Sequence, residues 1–224
     1  LHFLQKQTHQ SLFNLKGITM NAPAPTIIPA IGATVPGGFF AGTILIDDQR
    51  YGLAVPPKAL GEHKPTIWIP NYKDIPGAKS FYDGLANTRA MAEAGSKLAQ
   101  WALELEIDGC TDFYIPAQDE KEIIYRVFKP GTAKNSQYAR SGINLSALPP
   151  TRPYSLENPA QTVIEAFQEG GVEAFEADAY WTSTQHAAIS YFAWYQGFSY
   201  GVQYGLNTNL KLPARAVRRF HLPL

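Results

Sequence analysis

The residues Phe39-Phe40-Ala41-Gly42-Thr43-Ile44-Leu45-Ile46 form a nearly unbroken apolar run, followed by the polar group Asp47-Asp48-Gln49-Arg50 and a second apolar run that reaches Val55. That order predicts strand, turn, strand, with Pro56-Pro57 ending the second strand because proline cannot donate to a ladder. The period then changes. Met91, Ala94, Leu98, Trp101, Ala102 and Leu105 recur at three- and four-residue spacing, with Arg89, Glu93, Lys97, Gln100 and Glu104 between them. An amphipathic helix over residues 87–105 is predicted, stopped by Asp108-Gly109. A short apolar stretch at 113–115 predicts another strand. Pro116 then opens a second helix, with Asp119 and Glu120 in its first turn, Ile123, Ile124, Val127 and Phe128 as its buried stripe, and Arg126 and Lys129 near its end. Pro130-Gly131 ends it. Asn158 is expected to cap a third helix, with Pro159 at its first position, Val163, Ile164 and Phe167 inward, and Gly170-Gly171 closing it.

The intervening segments set the organisation. Residues 21–37 carry Pro23, Pro25, Pro29 and Pro36 among small and β-branched residues, which reads as an extended N-terminal arm spanning residues 1–37. Residues 1–19 of that arm are provisional, because the first methionine is Met20. The domain proper is expected over residues 38–224. Residues 63–80 are punctuated by Pro and Gly and read as loop with a brief strand at 66–69. Residues 129–157 show no usable period and contain Pro149, Pro150 and Pro153, a length of loop that is normally functional or an interface.

The last third differs in kind. Tyr180, Trp181, Tyr191, Phe192, Trp194, Tyr195, Phe198, Tyr200 and Tyr204 fall within a short stretch interleaved with Ser, Gly, Gln and Asn. Such a mixture suits recognition, since Tyr and Trp give large contact area for few frozen torsions and small polar residues give adaptable hydrogen bonds. Strand alternation places Trp194, Gln196 and Phe198 on one face, expected to be core, and Tyr195, Gly197 and Ser199 on the other, expected to be displayed.

Composition narrows the classes. The chain has 224 residues, 45% hydrophobic and 17% charged, with 19 basic against 19 acidic residues. That is enough chain for a sizeable core without staples. The zero balance gives no bulk attraction to nucleic acid or anionic membranes, and it predicts association, a homo-oligomer with a trimer as the working guess. The lone Cys110, expected to be buried, excludes an internal disulfide, a thiolate zinc site and a redox pair. No apolar run is long enough for a membrane span or a signal peptide. The five histidines show no ligand spacing and no loop has calcium-type acidic spacing, so no metal and no cofactor are expected. Asp47-Asp48 reads as a turn, and Asp119, Glu120 and Glu122 as the complement of a helix start, so no catalytic residue is assigned. Gly197, Gly201 and Gly205 read as turns and tight strand contacts. Lys211, Arg215, Arg218 and Arg219 read as a solvated strand edge with salt-bridge partners.

Several motifs occur in an ordered succession: Asp83 to Thr88 (DGLANT), Gly109 to Tyr125 (GCTDFYIPAQDEKEIIY), Ala179 to Gln185 (AYWTSTQ), Ala193 to Phe198 (AWYQGF) and Ala214 to Phe220 (ARAVRRF). This succession resembles the Lcl C-terminal-domain family, with Ala117 standing where that family usually has a Ser helix cap. The resemblance implies an α+β, C-type-lectin-like domain of the kind found in bacterial adhesins and in phage tail or receptor-binding proteins. It further implies Trp181 and Trp194 as core anchors and Thr182, Ser183 and Gln196 as partners for buried backbone groups. The strand at 215–220 would close against the first hairpin. Displayed residues would be Gln185, His186, Tyr191, Tyr195, Ser199, Tyr200, Tyr204, Asn207 and Asn209. The function so implied is non-enzymatic recognition of a host-surface protein or glycan by a virion protein, with the arm contacting other virion proteins. The alternative is a structural virion component that uses the same scaffold.

Overall fold

In the computed structural model, which describes residues 28–222, the Asp47-Asp48 pair makes the tight turn expected of it. Both residues have positive φ, 47° and 61°, the conformation that lets a two-residue turn follow the strand twist. The turn joins β2 (Gly38–Ile46) to β3 (Gln49–Val55). β1 (Thr34–Val35) adds to the free side of β2, so this end of the predicted arm belongs to the sheet. Residues 1–27 of the arm lie outside the described residues. β10 (Val217–His221) pairs with β3, and β5 (Phe113–Tyr114) pairs with β10, giving an antiparallel sheet in the order β1-β2-β3-β10-β5. The last strand therefore closes on the first hairpin, as the resemblance implies, although it begins at Val217; Arg215 instead ends β9 (Leu212–Arg215). β9 pairs with β4 (Glu62–Thr66) in a two-stranded sheet. The short strand expected at 66–69 thus lies four residues earlier, and Trp68 and Ile69 go into the core.

Helix formation was overestimated twice. The predicted helix over 87–105 is two, α2 (Gly84–Glu93) and α3 (Lys97–Leu103), each with its own N-cap. α1 (Lys58–Gly61) is a single turn before them. Gly95 adopts φ of 102° between α2 and α3, and the Ser96 hydroxyl accepts from the Ala99 N–H while donating to the Trp68 carbonyl. A cap tied to the distant segment after β4 outweighs continuity of the apolar stripe. The third helix, at 158–170, is absent apart from one 3-10 turn at Glu165–Phe167. Its backbone is used elsewhere: the Pro159 carbonyl accepts from Lys129 and Asn135, and the Thr162 N–H donates to the Lys129 carbonyl. Val163, expected inward, is 90% exposed. α4 (Gln118–Phe128) matches its prediction, with Ile123, Ile124 and Phe128 buried and Val127 partly so.

α4 packs on β2 and on the third sheet, β6 (Ala179–Gln185), β7 (Phe192–Gly197) and β8 (Gln203–Asn207). The architecture is mixed, with antiparallel sheets and few helices, which agrees with the α+β class. One core lies between the first sheet, α4, Phe167 and Phe198; a second lies between α2, α3, Trp68 and Trp181. The two indoles lock this second core reciprocally: the Trp68 ring N–H donates to the Thr182 carbonyl at 2.8 Å, and the Trp181 ring N–H to the Thr66 carbonyl at 2.9 Å. Cys110 is half-buried in the β-turn region before β5, contrary to the buried position expected. Among the described residues no helix is long and apolar enough to cross a membrane.

Candidate functional site

The β6-β7-β8 sheet holds most of the predicted display residues. Its register sets Trp181, Tyr195 and Tyr204 in one cross-strand row and Tyr180, Gln196 and Gln203 in the adjacent row, on the opposite face. Both faces are largely covered, so the expected division into one core and one displayed face does not hold. Trp181 is fully buried as expected, but Trp194 is half-exposed, with His186 stacked on it at 5.7 Å and Phe81 edge-on at 6.3 Å. Gly197 is buried and Ser199 partly so. Gly201 turns the chain between β7 and β8 at φ of 72°, and a side chain there would strike the Tyr125 ring.

The display list separates into three groups. Tyr191, Tyr200, Tyr204 and Asn209 are exposed. His186, Tyr195, Ser199 and Asn207 are half-buried. Gln185 is buried at 1% exposure and is a structural residue: its amide accepts from the Ile75 N–H and donates to the carbonyls of Lys73 and Ser190. A glutamine in a polar-rich strand carries no local sign that a loop 110 residues earlier will cover it.

Two aromatic residues outside the list complete the exposed surface. Tyr72 meets Tyr191 edge-on at 6.0 Å, and its hydroxyl accepts from the Asn209 amide at 2.7 Å. Tyr138 meets Tyr204 at 5.4 Å, on the segment whose Ser136 N–H donates to the Tyr200 carbonyl. Both come from loops without period, so only their composition, Tyr among small polar residues, could have singled them out.

Beneath this surface the most polar run of the chain is inside the protein. Gln118, Asp119, Glu120, Lys121 and Glu122 are all buried. Asp119 pairs with Arg140 and accepts from Ser146. Glu122 accepts from Arg126, Asn144 and Tyr154. Glu120 accepts from the Gly84 and Ala117 N–H groups and from the Tyr114 hydroxyl, so the carboxylate tethers α2, β5 and the start of α4. Ala117 supplies no side-chain cap; Glu120 accepts from the Ala117 N–H, while the Gln118 N–H donates to the Thr184 hydroxyl and the Asp119 N–H to the Phe81 carbonyl. Desolvation pushes the Glu120 carboxyl up to about 7 despite the hydrogen bonds that favour its charged form. Lys121 donates only to the Arg215 carbonyl and lies against the Phe175 and Tyr180 rings; desolvation brings its amine down to about 7.

Arg215, expected on a solvated edge, is fully buried, bonding to the Pro56 and Glu173 carbonyls and to the Glu173 carboxylate at 2.7 Å. Arg218 and Arg219 do pair with carboxylates, Asp112 and Asp83, but their side chains are largely covered and β10 lies between β3 and β5, so the expected solvated edge does not hold. Among the described residues no three His, Cys, Asp or Glu side chains converge as a metal site would require.

These groups give a pH dependence with a definite sign. Glu120, raised in the folded state, contributes stability that is full below about 4.5 and lost as pH rises through about 7. Lys121, lowered in the folded state, contributes stability that is full above about 10.5 and lost as pH falls through about 7. Stability should therefore pass through a minimum near neutrality, measured by denaturant unfolding between pH 5 and 9. Lys121→Met should remove the alkaline rise and stabilise the protein at pH 7. A wild-type profile rising steadily from pH 5 to 7 would contradict the Glu120 assignment.

No family model, curated protein or solved structure matches this chain.

Proposed function

We propose that the chain is a non-enzymatic binding protein of a phage virion, built on a C-type-lectin-like domain, that recognises a host-surface protein or glycan. The observation carrying the binding role is the exposed aromatic surface at the β6-β7-β8 sheet, where the pairs Tyr72–Tyr191 and Tyr138–Tyr204 and the neighbouring Tyr200 stand among Ser, Asn and Gln. Exposed aromatic pairs of this kind mark interaction sites more often than plain surface. The lectin-like reading is supported by the closure of β10 onto the first hairpin. The virion setting rests on the motif succession. Alanine at Tyr191, Tyr200 and Tyr204 should each leave the thermal midpoint unchanged. At least one should weaken adsorption to host cells by about 2 kcal/mol, roughly thirty-fold, as aromatic anchors do at an interface centre. Unchanged adsorption in all three would refute the recognition role.

A second reading, a structural virion component that assembles as a homo-oligomer such as a trimer, is favoured by a different observation. Leu145, Val163 and Val172 are exposed at 78%, 90% and 80%. A 290 Å³ cleft lined by Ile31, Ile123, Val127, Leu148 and Pro149 opens between β2 and α4. Deleting residues 1–27, which spares β1, discriminates the readings. Host adsorption by the isolated protein persists under recognition, whereas incorporation into particles is lost under assembly.

A further inference from the structure

Among the described residues, six buried side-chain polar atoms have no hydrogen-bond partner; apart from Thr208 Oγ1 they belong to four residues that the fold gathers together: Gln118 Oε1 and Nε2, Gln196 Oε1, Gln203 Oε1 and Arg140 Nη1. Gln196 and Gln203 face each other in register across β7 and β8. Gln203 donates to the Gln118 carbonyl at 3.0 Å, at the first turn of α4, and Ala139 bridges to Gln203. The next residue, Arg140, reaches Asp119 at 3.0 Å and lies 4.3 Å over the Phe81 ring, which in turn meets Trp194. Buried polar groups are nearly always paired, and a cluster of unpaired ones is an exception that needs a cause.

The cluster is covered by residues 136–143. This segment is held by Ser136 on the Tyr200 carbonyl, by the Tyr138–Tyr204 ring contact and by the Arg140–Asp119 pair. Ala139 within it adopts φ of 59°, a conformation disfavoured for a residue with a Cβ. The closed arrangement seals from solvent the whole Gln118 amide and the Gln196 and Gln203 side-chain oxygens without giving them partners. An open arrangement that pairs them is favoured by that difference.

We propose that residues 136–143 form a strap over a saccharide subsite: when the strap lifts, neighbouring hydroxyl groups of a neutral sugar pair with the amides of Gln118, Gln196 and Gln203 and with Arg140. This rests on the recognition role proposed above and names the class of ligand. The donor and acceptor balance selects the guest. The free groups are three acceptors, the side-chain oxygens of Gln118, Gln196 and Gln203, and two donors, Gln118 Nε2 and Arg140 Nη1, and a hydroxyl group can answer either kind. An anion would face the amide oxygens, and a cation would face Arg140. The half-exposed Trp194 and the Phe81 ring supply the apolar wall that such sites combine with a few placed polar groups. Because the strap touches Tyr200 and Tyr204, a ligand on the exposed aromatic surface reaches the strap directly.

Hydroxyl groups can also come from water, and the test separates the two sources. The full chain is titrated with the methyl glycosides of glucose, galactose and N-acetylglucosamine, read by saturation-transfer NMR and by hydrogen exchange of residues 136–143. At least one glycoside should give transfer and change exchange in the strap. Gln118→Met and Gln196→Met remove side-chain atoms that lack protein partners or, for Gln196 Nε2, bond only the adjacent Gly197 carbonyl. Each should melt at or above the wild-type temperature and weaken the glycoside at least tenfold. No response to any of the three glycosides leaves water as the only hydroxyl source and overturns the proposal. Undiminished glycoside binding in both variants also overturns it. Glycoside binding lost in the Gln variants while the Tyr alanine set adsorbs normally to cells would uphold the subsite and refute the host-recognition role, so the two readings fail separately.

Discussion

Glu120→Ala should lower the unfolding free energy by about 3–5 kcal/mol, the largest effect of any single carboxylate in the protein. Three donors depend on this side chain: the Gly84 N–H at 3.1 Å, the Ala117 N–H at 2.7 Å and the Tyr114 hydroxyl at 2.6 Å. All three become buried and unpaired in the alanine variant, and each such loss costs roughly 1–3 kcal/mol. The consequences are also spatial, because the starts of α2 and α4 and the strand β5 meet at this one group. Glu120→Gln keeps the shape and, like the protonated acid, presents one acceptor oxygen beside a donor, so it should retain most of the stability that alanine loses. Equilibrium urea unfolding at pH 5.5 measures both, at a pH where the carboxyl is largely protonated in the fold. A loss below about 1 kcal/mol for alanine would show that water replaces the carboxylate and that the tether is dispensable.

Trp181→Ala should destabilise by roughly 3–5 kcal/mol, as large aromatic deletions in a packed core do. Trp181 is fully buried in the second core, and its indole N–H satisfies the Thr66 carbonyl while Trp68 satisfies Thr182 in return. Trp181→Phe keeps most of the apolar contact and loses the hydrogen bond, so a smaller loss of about 1–2 kcal/mol is expected. Trp194→Ala is the contrast. Its ring is half-exposed and flanked by His186, so the loss should be well below that of Trp181, and equal losses would contradict the assignment of faces. Thermal and denaturant unfolding of the three variants under one condition decides this.

The difference between the two tryptophans shows how far the motifs reach. Both stand in strands rich in aromatics, and alternation along β7 does put Trp194 and Gln196 on the same side. Whether that side is covered depends on Phe81, Arg140 and the segment around them, which lie far away in sequence. Gln185 and Arg215 failed as surface residues for the same reason: each is buried by a segment more than 40 residues away, and hydropathy alone assigns Gln and Arg to solvent. The exposed tyrosines were the more legible part of the site. Tyr191, Tyr200 and Tyr204 fall where strand ends and turns place side chains outside, whereas their partners Tyr72 and Tyr138 belong to loops that no period marks.

What the sequence determined by itself was local. The hairpin β2–β3 with its Asp47-Asp48 turn and the extent and apolar stripe of α4 follow from period, proline placement and turn chemistry, which act within a few residues. The tertiary structure decided the rest: the division of one predicted helix at Gly95, the absence of the helix at 158–170, and above all the burial of Gln118 through Glu122. Charged residues are costly to bury without partners, and here Tyr114, Arg140, Asn144, Tyr154 and Arg215 supply them for Asp119 through Glu122 across separations that no local pattern encodes.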